Sequence, residues 1–173
     1  SSNIDGRIMF YRATDGSFSN FEFVFGVPLK DGQTGSSFVG FNTYQPSFNF
    51  GDSANVVANW LSIVNLSTSA RDFTILKFDG GGVLLSSAMI TVQSRSRADY
   101  DGGHVSPGPS KVGLIQIEPQ SAGEPYLAQL MRYGYGFNGS FDFAFPLLAE
   151  PANSGTITVP LGSTFLAQNW LEV

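Results

Sequence analysis

Asp99, Asp101 and His104 fall within six residues beside Gly102-Gly103, and His104 is the only histidine in the chain. A carboxylate–histidine cluster can hold a metal ion or pass protons, because imidazole titrates near neutrality. One histidine and no cysteine put a three-histidine or thiolate zinc site out of reach. Oxygen ligands from Asp99 and Asp101 suit a Ca²⁺-type ion instead, and no other cofactor is expected. A Ser–His–Asp triad would have to use His104, and neither G-x-S-x-G nor H-E-x-x-H occurs. The plainer reading is an acidic turn whose carboxylates face Arg95 and Arg97 on the preceding strand. No catalytic set assembles from these residues, so the chain is expected not to be an enzyme.

Tyr133-Gly134-Tyr135-Gly136-Phe137 offers a second chemistry. Aromatic rings on a sheet edge stack the apolar C–H face of a sugar, which makes Tyr133, Tyr135 and Phe137 candidates for carbohydrate binding. The competing use is core or subunit contact, because glycines between large rings let sheets approach closely. Gly80-Gly81-Gly82 reads as a hairpin turn rather than a phosphate cradle, since no G-x-G-x-x-G stands between a strand and a helix. Asn65-Leu66-Ser67 and Asn138-Gly139-Ser140 satisfy N-x-[ST] in expected turns, where glycans would fit if the source glycosylates.

The elements that must carry these residues are strands. Trp60, Ser62 and Val64, and again Phe73, Ile75 and Lys77, mark period-two alternation, which is what a half-buried strand needs. Residues 59–101 read as four short strands, with reversals at Asn65–Ser69 and Asp79–Gly82. Arg7–Arg12, Phe21–Phe25, Ser37–Tyr44, Val112–Glu118, Phe141–Phe145, Thr156–Val159 and Phe165–Val173 extend the set. Tyr126–Met131 has helical propensity, but its neighbours argue for a strand. The fold class is all-β, an antiparallel sandwich of Ig-like or jelly-roll-like type, with Phe73, Ile75, Ile90, Val92, Leu114, Phe141 and Phe143 expected in its core.

Composition narrows the function classes. A chain of 173 residues can bury a sizeable core as one domain. Charged residues make up 13%, about half the usual ~25%, and Lys30, Lys77 and Lys111 are the only lysines. The net charge of −5 with scattered basic residues argues against nucleic acid, which needs a clustered positive surface. No apolar run approaches the ~20 residues of a membrane-spanning helix, so membrane insertion is not expected. Ser1–Gly6 lacks the positive-then-apolar order of a signal peptide. Sparse lysine, abundant Ser, Thr and Gly, and an acidic balance lean towards an extracellular or cell-surface setting.

An internal repeat adds a second level. Phe21–Phe25 and Phe141–Phe145 share F-x-F-x-F at an offset of 120, and Arg12/Arg132, Gly16/Gly136, Gly35/Gly155 and Val39/Val159 keep that offset. Asn59-Trp60-Leu61 is repeated as Asn169-Trp170-Leu171, and these are the only two tryptophans. Two organisations follow: one sandwich over 1–173, or the end of one repeat at 1–55, a complete repeat at 56–163 and a first strand at 164–173.

The W-x-x-(I/V)-x-N strand from Trp60 to Asn65 precedes an F-x-(V/I)-x-x-(Y/F)-D-x-x-G hairpin from Phe73 to Gly82. Over roughly residues 55–145 this pattern resembles the tandem β-sandwich modules of large secreted bacterial surface proteins. The resemblance implies extracellular architecture, adhesion or fibre building, and transfers no catalytic residue. The expected function is therefore a non-enzymatic structural module of an extracellular or cell-surface assembly, such as a fibre, sheath or surface array. Its expected partners are further copies or neighbouring modules of the same protein, met through strand edges and apolar faces, with a carbohydrate-binding or adhesive module as the alternative. Phe165, Trp170, Leu171 and Val173 at the terminal strand are the candidate assembly residues, because an unpaired strand invites pairing with another chain.

Overall fold

Strands that alternate β-branched or aromatic residues with polar ones can bury one face and wet the other, and two such sheets close on each other. The computed structural model describes residues 6–13, 21–28, 30–44, 56–135 and 141–152 and shows this arrangement. Its strands are β1 (Arg7–Ala13), β2 (Phe21–Pro28), β3 (Ser37–Asn42), β4 (Val56–Asn65), β5 (Arg71–Asp79) and β6 (Leu84–Val92). They continue with β7 (Arg97–Asp101), β8 (Val112–Pro119), β9 (Tyr126–Tyr135), β10 (Phe141–Leu148) and β11 (Glu150–Pro151). One sheet has four strands in the order β10-β9-β4-β7, the other five in the order β11-β3-β8-β5-β6, and all pairings are antiparallel. β1 and β2 form a separate two-stranded ribbon. The chain is an all-β sandwich, and the segment from Tyr126 is strand.

Both inner faces feed one core. Val39 and Phe41 come from β3, Leu61 and Ile63 from β4, Phe73 and Ile75 from β5, Ile115 and Ile117 from β8, and Tyr126 and Leu130 from β9. Phe73, Ile75 and Val92 are buried as expected, and Ile90 packs half-buried against them. Leu114 is a correction: it is 39% exposed, because the alternation of β8 turns Ile115 and Ile117 inwards instead. Phe143 is half-buried, and the side chain of Phe141 lies outside the described residues. β3 precedes the residue 55/56 boundary yet pairs with β8 and supplies Val39 and Phe41 to the core, so one sandwich draws strands from both sides of that boundary. The expected strands at 156–159 and 165–173 fall outside the described residues, as does Trp170.

Two buried polar side chains fasten the loops. Arg71, 3% exposed, donates from Nη1 to Glu124 O and from Nη2 to Ser121 O, each at 2.6 Å, tying the loop between β8 and β9 to β5. Asn65 is fully buried and donates from Nδ2 to Ser69 O, Val92 O and Gln93 O at 2.7, 3.0 and 3.1 Å, while its Oδ1 accepts from Ser67 N. Its amide is the keystone of the turn after β4, so in the folded chain Asn65 is not open to a glycan. Asn138 lies outside the described residues.

Candidate functional site

Asp101 ends β7 where the chain leaves for the loop at 102–111, and its carboxylate organises that loop. Oδ1 accepts from Gly103 N and Val105 N at 3.0 Å each and lies 3.1 Å from His104 Nδ1. Oδ2 accepts from Lys77 Nζ at 2.7 Å and from Ser106 N at 3.0 Å. Lys77 comes from the facing sheet: it follows Phe73 and Ile75 on the inward face of β5, its side chain is 2% exposed, and it also donates to Ser106 O at 2.7 Å. Burial raises the Asp101 carboxyl pKa, but the Lys77 bond and the Val105, Ser106 and Gly103 N–H groups outweigh it and hold the carboxyl below its ordinary range. Gly102 and Gly103 let this loop hug the core: a Cβ on Gly102 would lie 2.7 Å from Asn59 O, and Gly103 sits at φ +121° against the Phe41 ring.

Asp99 looks the other way. Its Oδ1 accepts from Ser62 Oγ at 2.6 Å and Arg97 Nε at 2.8 Å, and its Oδ2 from Arg97 Nη2 at 3.0 Å. Burial raises this carboxyl too, and the bonds from Arg97 and Ser62 with the guanidinium charge bring it below the usual range. The two carboxylates therefore do not converge: one is neutralised by a lysine and backbone N–H groups, the other by an arginine. That surrounding of donors suits an anion held by protein cations and is unlike the oxygen cage a Ca²⁺ requires. Among the described residues no group of three or more His, Asp or Glu is placed to share a metal ion. His104 is structural in its contacts, with Nδ1 2.6 Å from Asn59 O and its ring edge-on to Trp60 at 4.7 Å. Arg97 is the expected partner of Asp99; Arg95 sits in the preceding turn at φ 51°.

Tyr133 and Tyr135 lie on the outer face of the four-stranded sheet, because odd-numbered β9 residues point away from the core that Ala128 and Leu130 fill. They share a groove of ≈460 Å³ with Trp60, Met131, Arg97, Asp99 and Arg12 of the ribbon. Burial, the neighbouring Tyr135 hydroxyl and Asp99 raise the Tyr133 pKa, with Arg97 opposing. Gly134 between the tyrosines is required: a Cβ there would sit 2.2 Å from the Phe143 ring that crosses it from β10. Phe137 lies outside the described residues. Arg97 also lines a second, adjoining cavity of ≈200 Å³, where Ile8, Phe10 and Val27 of the ribbon face Val64, Leu127 and Gln129 of the sheet. In sequence Tyr133, Tyr135 and Asp99 stand apart as separate candidates, and only the fold adds Met131, Arg12 and Trp60 to them. The even-numbered alternation Trp60-Ser62-Val64 was the available signal.

The sheet edges differ in how they meet solvent. β7 carries Arg97, Asp99 and Asp101 in five residues, β11 is two residues long and includes Pro151, and β10 contains Asp142 and Pro146. Charge, brevity and proline all discourage strand addition. β6 has none of these: its nine residues LLSSAMITV are uncharged and proline-free. Among the described residues only β5 pairs with it, and Leu84, Leu85 and Met89 are 51%, 37% and 68% exposed. The terminal candidates Phe165, Trp170, Leu171 and Val173 lie outside the described residues.

No family model and no curated protein matches this chain. Among solved structures it is similar to Thermotoga maritima 1070, known from a crystal structure, at 12% identity and a TM-score of 0.52, over 68% of this chain and 93% of that one. It is also similar to the Anabaena sensory rhodopsin transducer, at 16% identity and a TM-score of 0.41, over 59% of this chain and 98% of that one. The likeness to the Thermotoga protein is one of fold alone.

Proposed function

We propose that this chain is a non-enzymatic structural module of an extracellular or cell-surface assembly, joined to further copies or neighbouring modules through its strand edges. The observation that carries the reading is β6, which lacks the charges, proline and brevity found at the other edges. An exposed, uncharged edge of that length is a template for another strand. Antiparallel pairing of two β6 strands about Ala88 sets Ser86 opposite Ile90, so these inward residues stay on the inner face and no like charges meet. Leu84 lies past the bulge that follows the Lys77–Ser86 pair and falls outside this register. The low overall charge and the resemblance to secreted surface modules favour the same reading. The module binds its neighbours by backbone hydrogen bonds, with Leu85 and Met89 adding apolar contact on the outer face.

The test places charge on that edge. Ser87→Lys and Met89→Lys change outward-facing, exposed positions and leave the core untouched. Analytical ultracentrifugation of the wild-type chain is expected to show concentration-dependent association that both variants lose while keeping the wild-type circular dichroism spectrum. A wild-type chain that stays monomeric throughout, or lysine variants that associate as the wild type does, would refute the proposal. Deleting residues 165–173 in parallel separates a β6 interface, which survives the deletion, from association through the terminal strand, which does not.

A further inference from the structure

We propose that the groove on the outer face of the four-stranded sheet binds pyranose rings of a glycan, with Trp60 and the Tyr133–Tyr135 pair as the stacking surface and Arg97–Asp99 as the hydroxyl-binding pair. A pyranose presents a flat C–H face and a rim of vicinal hydroxyls, so its site needs apolar rings beside planar polar groups. The groove joins both: Trp60 is 43% exposed there beside Met131, and the charged pair borders it. The register explains the meeting. Trp60 pairs with Met131 on β9, and Ser62 with Asp99 on β7, so three adjacent strands bring Trp60, Met131 and Asp99 to the groove.

The polar pair is set before a ligand arrives. Asp99 is fixed by the buried Ser62 hydroxyl and by two bonds from Arg97, so little side-chain freedom remains to be lost on binding. Among the described residues, Asp99 Oδ1 accepts both Ser62 Oγ and Arg97 Nε, whereas Oδ2 accepts Arg97 Nη2 alone and keeps a second lone pair. Arg97 Nη1 is not used in the pair. A donor and an acceptor thus stand side by side, which is how two neighbouring sugar hydroxyls are recognised. An independent observation extends the site: Gln33 Nε2, in the lining of the adjoining cavity that Arg97 also borders, is buried with no hydrogen-bond partner among the described residues. A ring substituent or a second sugar reaching past Arg97 would meet that donor.

The experiment titrates the whole chain with cellohexaose, chitohexaose and mannohexaose, followed by calorimetry and tryptophan fluorescence. Saturable binding to at least one is expected, with a change in Trp60 emission that Trp170→Phe preserves. Asp99→Asn and Trp60→Ala should each weaken affinity by about tenfold or more, as loss of a central anchor does. Trp60→Leu keeps the apolar bulk and serves as the folding-safe version. Tyr11→Ala, an exposed ribbon aromatic outside the groove, should bind like the wild type. Met89→Lys should bind unchanged as well, since the groove does not depend on the β6 edge. No saturable binding to any of the three glycans, or binding that survives both Trp60→Leu and Asp99→Asn in folded protein, overturns the assignment.

Discussion

Replacing Asp101 by alanine should be among the most damaging single changes in the chain. The substitution leaves the Lys77 ammonium, 2% exposed, with Ser106 O as its remaining acceptor among the described residues, and it unties the N–H groups of Gly103, Val105 and Ser106. Removing one partner of a buried pair costs about 3–5 kcal/mol, because the other charge stays desolvated and uncompensated. In a domain of this size each kcal/mol moves the melting temperature by about 2–4 °C, so a drop of about 6–20 °C is expected. Lys77→Met is the informative partner. It removes the buried cation and leaves Asp101 its backbone donors, so it should cost less than half as much. Urea unfolding followed by circular dichroism measures both. The pH dependence gives a second reading. Asp101 has a folded pKa below its unfolded one, so its contribution is complete above the unfolded value of ~3.9 and fades as pH falls through the folded value. Asp101→Asn should lose that acid-side slope. A loss under about 1 kcal/mol in Asp101→Ala, or a Lys77→Met variant hurt as badly, would refute the account of Lys77 as a buried charge that depends on this carboxylate.

Gly113→Ala should cost about 1–3 kcal/mol or more, since its Cβ would sit 1.9 Å from Phe78 O, whereas Gly35→Ala, with nothing within 4 Å, should be within about 0.5 kcal/mol of the wild type; paired thermal melts decide. Asn65→Ala should lose about 1–3 kcal/mol through the lost bonds to Ser69 O, Val92 O and Gln93 O and from Ser67 N, and mass spectrometry of protein from a glycosylating host should find Asn65 unmodified. Tyr126→Phe removes a hydroxyl placed 2.8 Å from both Ser37 Oγ and Gly35 O and should cost about 1 kcal/mol in chemical denaturation. Burial, opposed by Ser37 and Arg71, raises the Tyr126 pKa, so its contribution is present below the unfolded value of ~10 and lost as pH rises through the folded one; Tyr126→Phe should flatten that alkaline limb.

Local pattern was enough to determine most of the described strands, the two-residue β11 excepted. Alternation in Phe73-Ile75-Lys77, the glycine turn after Asp79 and the proline at the end of β2 are decided by side-chain direction and backbone sterics, which act within a few residues. The all-β class follows from them. Which face is buried was legible in β5, where Phe73 and Ile75 mark one apolar face, but not where both faces are apolar, because alternation fixes two faces without saying what covers either. Leu114 and Ile115 are equally apolar, and only the opposing sheet selects Ile115; Trp60 and Leu61 divide in the same way. Lys77 shows the limit most plainly. Its place on the Phe73–Ile75 face follows from its number, but a buried charge is tolerable only where a carboxylate waits, and Asp101 reaches it across the sandwich from 24 residues away. The groove has the same origin. Asp99, Trp60 and Tyr133 are separated along the chain, and the antiparallel register of β7, β4 and β9 brings them to one surface. Residue types set the chemistry each could do, and the pairing of distant strands, stabilised by the shared core, decided which of them meet.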